Sequence, residues 1–238
     1  EFRAEVMRSF GADVIRVKGN YDNSLKECIK QSKLNNWQIV QDVAWEDYKL
    51  VPKLTMAGYS VMMKEISEQI KNEKISHIIL QAGVGGMAAA MIAGIARYFD
   101  HIPKIIIVEP ERAACVLASI KAGKIQKINI EKESLLGGMS CDEVSLVPWK
   151  ILKQSVNYCV TISDDYIAKT VKSLANSDYS DEKIIGGECS SPGIISLVGL
   201  CNDSEIKKKI NLNQESNVLL FGCEGNADEE LYQKLLNS

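Results

Sequence analysis

A parallel α/β fold is predicted by three features of this sequence. Short aliphatic runs alternate with longer helical stretches, the pattern of a parallel sheet with helices on both faces. Two of these runs, at residues 77–80 and 104–108, are apolar almost throughout, as strands buried on both sides require. A glycine-bearing turn follows the first run and opens the next helix, where such folds connect strand to helix.

Residues 3–10 read as a helix ending near Gly11. Residues 12–17 follow as a short strand, because Val14, Ile15 and Val17 are β-branched. Leu25, Cys28, Ile29 and Ser32 recur at helical spacing and predict a helix over 23–33. Residues 37–41 read as the next strand. The texture changes after Asp42, which divides the chain into a remnant of a small α/β domain, 1–43, and most of a large domain, 44–238. In the large part a long amphipathic helix is expected over 56–71, with Val61, Ile66 and Ile70 among its apolar positions. The strand at 77–80 leads into a helix at 85–99 that is rich in small residues, then the strand at 104–108. A helix at 113–122 stops at Gly123, a usual C-terminal signal. A loop at 130–141 precedes a helix at 144–154 and a strand at 159–162. Asp164 and Asp165 are expected to cap a helix running to about residue 175, and Pro192 to start another toward Cys201. Lys207, Lys208 and Lys209 read as the solvated face of a helix. A strand at 218–221 and a helix at 228–236 close the chain.

With 238 residues, 46% of them hydrophobic, the chain can bury a substantial core. Lys+Arg 28 against Asp+Glu 31 gives a net charge of -3 without blocks of one sign, which argues against a nucleic-acid surface. Cys28, Cys115, Cys141, Cys159, Cys189, Cys201 and Cys223 are odd in number and fit neither C-x-x-C nor a zinc spacing. They read as free thiols in a reducing cytosol, so the expected location is cytoplasmic and no metal site is expected. No apolar stretch is long enough to span a bilayer, and no signal peptide is read. Glu1-Phe2 is not an initiator and the chain opens inside a helix, so it reads as part of a longer protein.

The strongest motif is the turn Gly83, Val84, Gly85 and Gly86, between a β-branched strand and a helix. Its glycines let the backbone turn sharply and bring N–H groups close to an anion, and the helix start adds its own unpaired N–H groups. A phosphate is the natural guest, the alternative being a tight turn with no ligand. Glu109, closing the next strand, stands where a dinucleotide fold places its acidic ribose contact. Against that reading, the pattern is G-x-G-G and lacks the third glycine at its usual spacing. A second strand ends at residues 221–226, where Cys223 reads either as a ligand-facing thiol or as a packed one. Because the carboxyl ends of parallel strands gather at one crevice, this turn and the glycine loop are expected to meet there. Residues 186–193, with Glu188, read as a ligand-lining loop or a capped turn. Gly138, Met139 and Ser140 belong to a glycine-rich loop suited to wrap a substrate, or simply to connect. Asp42, at a strand end where the composition changes, is either a general base at a cleft between domains or a turn residue. His77 and His101 flank strands and read as structural or solvated, and neither a Ser-His-Asp arrangement nor a metal cluster is seen.

The stretches "GADVIRVKGNYDNSLK", "WQIVQDVAWEDY", "HIILQAGVGGMAAA", "VEPERAACVLASIKAGK", "LLGGMSCDEVSLVPWKIL" and "LLFGCEGNADEELY" occur in this order over essentially the whole chain. Together they resemble the fold-type II pyridoxal-phosphate (PLP) enzymes, the group of threonine dehydratase and tryptophan synthase β. Within that group the set is most similar to the diaminopropionate ammonia-lyases, above all "QDVAWEDY" combined with "GGMSCDEVS".

The resemblance implies a tryptophan synthase β-like sheet, truncated at its N-terminus, with 44–238 as most of the cofactor-binding domain. It implies that the N–H groups of Gly83, Val84, Gly85 and Gly86 hold the cofactor phosphate. Cys223 falls beside the pyridine nitrogen, as an uncharged partner, and Glu188 lines the cofactor pocket. Gly138, Met139 and Ser140 form the substrate loop. Asp42 matches one of two family aspartates that remove the substrate α-proton, the one linked to the L isomer, and Glu109 becomes a structural strand-end residue. The family's Schiff-base lysine, its other aspartate and an asparagine-bearing loop lie in motifs absent from this sequence. The implied activity is therefore that of an intact parent: PLP-dependent α,β-elimination of 2,3-diaminopropionate to pyruvate and ammonia, in a cytoplasmic homodimer acting on a small amino acid. The fragment itself is expected to be inactive, with PLP non-covalent or absent. The alternatives are a PLP-dependent serine/threonine dehydratase and, from another class, a non-catalytic nucleotide-binding domain or a pseudoenzyme.

Overall fold

Two helices, α1 (Phe2–Ser9) and α2 (Tyr21–Asn35), supply the regular structure of the first of two units, Glu1–Gln41, in the computed structural model. The structure describes residues 2–19, 21–70 and 73–238; Glu1 and the expected helix end at Lys71 lie outside them. The strands expected at 12–17 and 37–41 do not form. β-Branched residues favour an extended backbone, but a strand exists only where a ladder partner accepts it. Among the described residues of this unit neither segment has one, and Ile15, Trp37 and Val40 stay exposed.

The second unit, Asp42–Ser238, carries the sheet. It opens with α3 (Leu50–Gln69), which starts six residues before the expected residue 56. Pro52 lies in its first turn, where a missing N–H costs no helical hydrogen bond. β1 (His77–Gln81), α4 (Gly86–Tyr98), β2 (Lys104–Pro110) and α5 (Cys115–Ala122) follow as two strand–helix units. Gly123 ends α5 in the left-handed conformation at φ 68. Then come α6 (Leu146–Ser155), β3 (Tyr158–Ile162), α7 (Ile167–Ala175), α8 (Pro192–Asn202) and α9 (Ser204–Ile210). The short strand β4 (Val218–Leu219) and α10 (Glu229–Leu236) finish the chain. Lys207, Lys208 and Lys209 fall on α9, which Asp203 caps by accepting the N–H groups of Glu205 and Ile206. Asp164 does not cap α7 as expected. Ser163 accepts from Asp165 N–H, and the Asp164 carboxylate instead takes the Ser134 hydroxyl and the Leu135 N–H.

The four strands among the described residues are all parallel, in the order β3-β2-β1-β4. Pairing of Ile78 with Ile105, Ile79 with Ile106 and Leu80 with Ile107 sorts the side chains into two faces. Ile78, Leu80, Ile105 and Ile107 pack with α3, α4 and α6 in one core, and Ile79, Ile106 and Val108 pack with α7, α8 and α10 in the other. The sheet is therefore covered on both sides, as its uninterrupted apolar strands demand. All seven cysteines are free. No helix of the described residues is long and apolar enough to cross a membrane.

Glu109 ends β2 fully buried, with its carboxylate accepting the N–H groups of Val116 (2.7 Å) and Leu117 (2.8 Å) at the start of α5. Burial outweighs these two bonds and raises its pKa from the ordinary 4.5 to about 7. A folded value above the unfolded one means that the native state keeps a proton which the unfolded chain releases. The stability Glu109 contributes is thus full below its unfolded pKa and is lost as pH rises through about 7. Urea unfolding of wild type and Glu109→Gln between pH 5 and 8 should show the wild type losing stability relative to the variant, by at most roughly 3 kcal/mol. A difference that does not change with pH would mean the carboxyl stays ionised on the two amides.

Candidate functional site

Strand order reverses at β1, with β2 on one side and β4, which follows three crossovers later, on the other. In open parallel sheets, such a switch point leaves a crevice beyond the carboxyl ends of the strands, where ligands bind. Here the crevice lies beyond Gln81 and the residues that follow β4.

Gln81 is buried, and its side-chain amide joins three segments of this crevice. Its Nε2 donates to the carbonyls of Phe221 (2.9 Å) and Cys189 (3.1 Å) and to Cys223 Sγ (3.2 Å). The ladder of β4 stops at Leu219 rather than continuing to the expected residue 221, and the Phe221 carbonyl beyond it accepts from Gln81 instead. Its Oε1 is buried without a partner. Sequence reasoning placed Gln81 in the motif without a role, although a lone amide closing an apolar strand is itself a signal: such a group is buried only where it has partners.

The glycine loop turns immediately after Gln81. Gly85 has φ 91, the left-handed region, and a Cβ there would stand 2.6 Å from Leu152 Cδ1 of α6. The carbonyls of Gly83, Val84 and Gly85 are taken, by Cys115 Sγ, Ser145 N–H and Ala89 N–H. The start of α4 has no side-chain cap, so the N–H groups of Gly86, Met87 and Ala88 have no acceptor among the described residues. A Cβ on Gly86 would meet nothing within 4 Å.

Asp42 is brought to this loop by Ser145. Ser145 Oγ accepts from Ala44 N–H (2.8 Å), and Ser145 N–H donates to Val84 O (3.0 Å). A stacked pair, Trp45 on Tyr48 at 4.2 Å, folds the chain just after this anchor. Asp42 itself is exposed. Its charge raises the pKa of two neighbours, Tyr59 on α3 and Cys141, in both cases after the larger effect of burial; Cys141 reaches about 11. Tyr59 also feels Cys223, so Asp42, Tyr59 and Cys223 share one region. Tyr59 escaped sequence reasoning, because one tyrosine on a long amphipathic helix carries no local signal.

Cys223 as a residue is exposed, but desolvation of its sulfur, and then the charge of Glu224, raise its pKa, so it remains an uncharged thiol. Glu188 is buried, and its carboxylate gathers with Cys189 Sγ and Glu224 within 4.8 Å of one another. This is the one cluster among the described residues with ligating atoms close enough to share a cation. Its Glu224 Oε2 already accepts from Cys189 N–H (2.7 Å). Of Gly138, Met139 and Ser140 only Gly138 is exposed. The Met139 side chain is buried in the core with Ile79 and Val108, and the Ser140 hydroxyl bonds Leu136 O and Ser134 N–H. Those two side chains shape the loop from below. Glu109, with both carboxylate oxygens on α5 and no exposure, cannot reach a ribose, so the nucleotide reading loses its acidic contact.

Comparison with known proteins identifies the family of this chain. Residues 1–223 match the family model of the pyridoxal-phosphate dependent enzymes. The diaminopropionate ammonia-lyase of Escherichia coli (strain K12) is 28% identical over 240 residues, covering 98% of this chain and 60% of that protein. The crystal structure of the holo form of the E. coli diaminopropionate ammonia-lyase superposes with a TM-score of 0.90 at 29% identity, over 99% of this chain and 60% of that one. Its complex with D-serine gives the same TM-score, 0.90, at 28% identity. The chain thus spans about 60% of the length of these curated relatives.

The two central glycines of the loop should respond differently to a methyl group. Gly85→Ala should cost about 1–3 kcal/mol, since it strains a left-handed residue and presses on Leu152. Gly86→Ala, in open space at a helix start, should be neutral or stabilise by up to about 1 kcal/mol. Urea unfolding measures both, and equal losses would show that the turn does not depend on the conformation of Gly85.

Proposed function

Since the chain belongs to the pyridoxal-phosphate dependent enzymes, we propose that it forms most of the cofactor-binding domain of a carbon–nitrogen lyase acting on 2,3-diaminopropionate. The parent reaction would be α,β-elimination to pyruvate and ammonia, in a cytoplasmic homodimer. The observation that carries this reading is the anchoring of the Asp42 segment on the glycine loop through Ser145. It sets a carboxylate, a row of free N–H donors and a neutral thiol around one crevice.

These residues suit the cofactor. The unpaired N–H groups of Gly86, Met87 and Ala88 match a phosphate, with Gly83, Val84 and Gly85 supplying the turn before them. Cys223, held by Gln81, offers an uncharged partner to the ring nitrogen, and Glu188 lines the same side of the crevice. When bound, pyridoxal phosphate supplies an electron sink for the negative charge developing at the substrate α-carbon. Asp42 then takes the α-proton of the L isomer. The Tyr59 hydroxyl, kept protonated by burial and by Asp42, stays a neutral donor beside it. Gly138 closes over the substrate with its exposed backbone.

The sequence motifs of this chain include no counterpart of the family's Schiff-base lysine. The chain by itself is therefore read as inactive, binding PLP without a covalent bond.

Two measurements test this. Calorimetry should find saturable PLP binding that Gly86→Asp weakens at least roughly tenfold, because a carboxylate at the helix start takes the place of the phosphate; unchanged affinity would remove the phosphate site. Borohydride treatment of the mixture should fix no stoichiometric adduct on a single lysine. In the intact protein, Asp42→Asn should lower kcat for the L isomer by about 10²–10⁴-fold with cofactor binding retained. The D isomer should lose much less, and equal loss for both isomers would make Asp42 structural.

A further inference from the structure

Strand β3 forms one edge of the sheet, with β2 as its only neighbour among the described residues. Lys104 N–H donates to Ser76 O, and Ala82 N–H donates to Val108 O. The even-numbered residues of β2 therefore turn their backbone groups toward β1, and the odd-numbered ones toward β3. With Ile106 in register with Tyr158, this commits Tyr158, Val160 and Ile162 to the ladder with β2. The N–H and C=O groups of Cys159 and Thr161 face the open side, where they have no backbone partner among the described residues.

Proteins usually protect such an edge with a charge, a proline, a bulge or a covering element. The strand Tyr-Cys-Val-Thr-Ile carries no charge and no proline, and its register with β2 runs without a bulge. Beside it lies a groove of about 600 Å³, lined by residues 159–163 and by α7, α8 and α9. Tyr166, Tyr179, Val198 and Ile206 line this groove while staying between 40% and 58% exposed. Lys169 and Asp203 give its rim one charge of each sign. An apolar patch with a polar rim, beside a row of unpaired backbone groups, is suited to another extended strand. A rim with both signs is self-complementary across a twofold axis, whereas a strongly acidic or basic partner meets a like charge.

We propose that this edge is the interface with a second copy of the chain, in which β3 pairs with the partner's β3. A twofold axis makes that pairing antiparallel. The unpaired groups set its register. Cys159 faces the partner's Thr161 and Thr161 the partner's Cys159, each pair exchanging two backbone hydrogen bonds. Val160 then lies opposite the partner's Val160 at the axis, and Tyr158 opposite the partner's Ile162. These are β-branched and aromatic pairs, which favour a sheet, and no like charges are opposed within the strands. The groove shares no residue with the glycine loop, Gln81, Asp42 or Cys223, so the interface does not depend on the lyase reading. It gives the homodimer proposed above a contact surface.

Sedimentation equilibrium of the full 238-residue chain, over about 1–100 µM, should show a monomer–dimer equilibrium. Thr161→Pro removes an outward N–H and leaves the ladder with β2 intact. Thr161→Lys instead places a charge at an exposed position on the seam. Each should weaken dimerisation about tenfold or more, with circular dichroism unchanged. Amide exchange followed by NMR gives a second readout. The N–H groups of Cys159 and Thr161 should gain protection as concentration rises, while those of Val160 and Ile162 stay protected throughout. A chain that is monomeric over this range overturns the proposal, as does exchange at Cys159 and Thr161 that ignores concentration. A dimer that survives both variants also overturns it, and would put the homodimer contact on another face.

Discussion

The crevice depends on the side-chain amide of Gln81. The loop after β1, the segment at Cys189 and the turn at Cys223 belong to three stretches of chain more than 100 residues apart at the extremes. One NH₂ group holds all three. In a buried setting these bonds are strong because the alternative is an unsatisfied donor, which costs about 1–3 kcal/mol. The amide also holds the chain just beyond the end of the β4 ladder, at Phe221. An apolar residue at 81 would leave two carbonyls without a donor and the Cys223 sulfur without a fixed position.

Ser145 plays the matching part on the other flank. With one hydroxyl and one N–H it joins the segment after Asp42 to the glycine loop. Around these two anchors the fold avoids free charge in its interior. Glu109 sits on the first amides of α5, where the helix start favours negative charge, and Asp164 pins the loop at 134–135. The donors at the start of α4 are left without an acceptor among the described residues. That contrast between committed and uncommitted polar groups distinguishes the site from the surrounding scaffold.

Much of the architecture was legible along the chain. The buried strands at 77–81 and 104–110 announced themselves by unbroken aliphatic residues, and Gly123 and Pro192 marked helix boundaries by their backbone restrictions. The segments at 12–17 and 37–41 were misread, because β-branched residues carry a preference for extended backbone but not the identity of a pairing partner. Asp164 was misread as a cap because an aspartate before a helix looks the same whether it turns toward the helix or toward a distant loop.

The local chemistry of this protein was therefore determined by its sequence: the glycine turn before a helix, the paired aliphatic strands, the free thiols, and a motif set similar to the PLP-dependent lyases. Which of these groups meet was decided only in the tertiary structure. Gln81 reaches residues 108 and 142 positions away, and Ala44 finds Ser145 at a separation of 101. Such bonds form because burial makes an unpaired polar group costly, and which partners are available depends on how the whole sheet is ordered rather than on neighbours in the chain. Met139 and Ser140 show the same limit, since their loop was visible in sequence but its inward-facing side chains were fixed by the core beneath it.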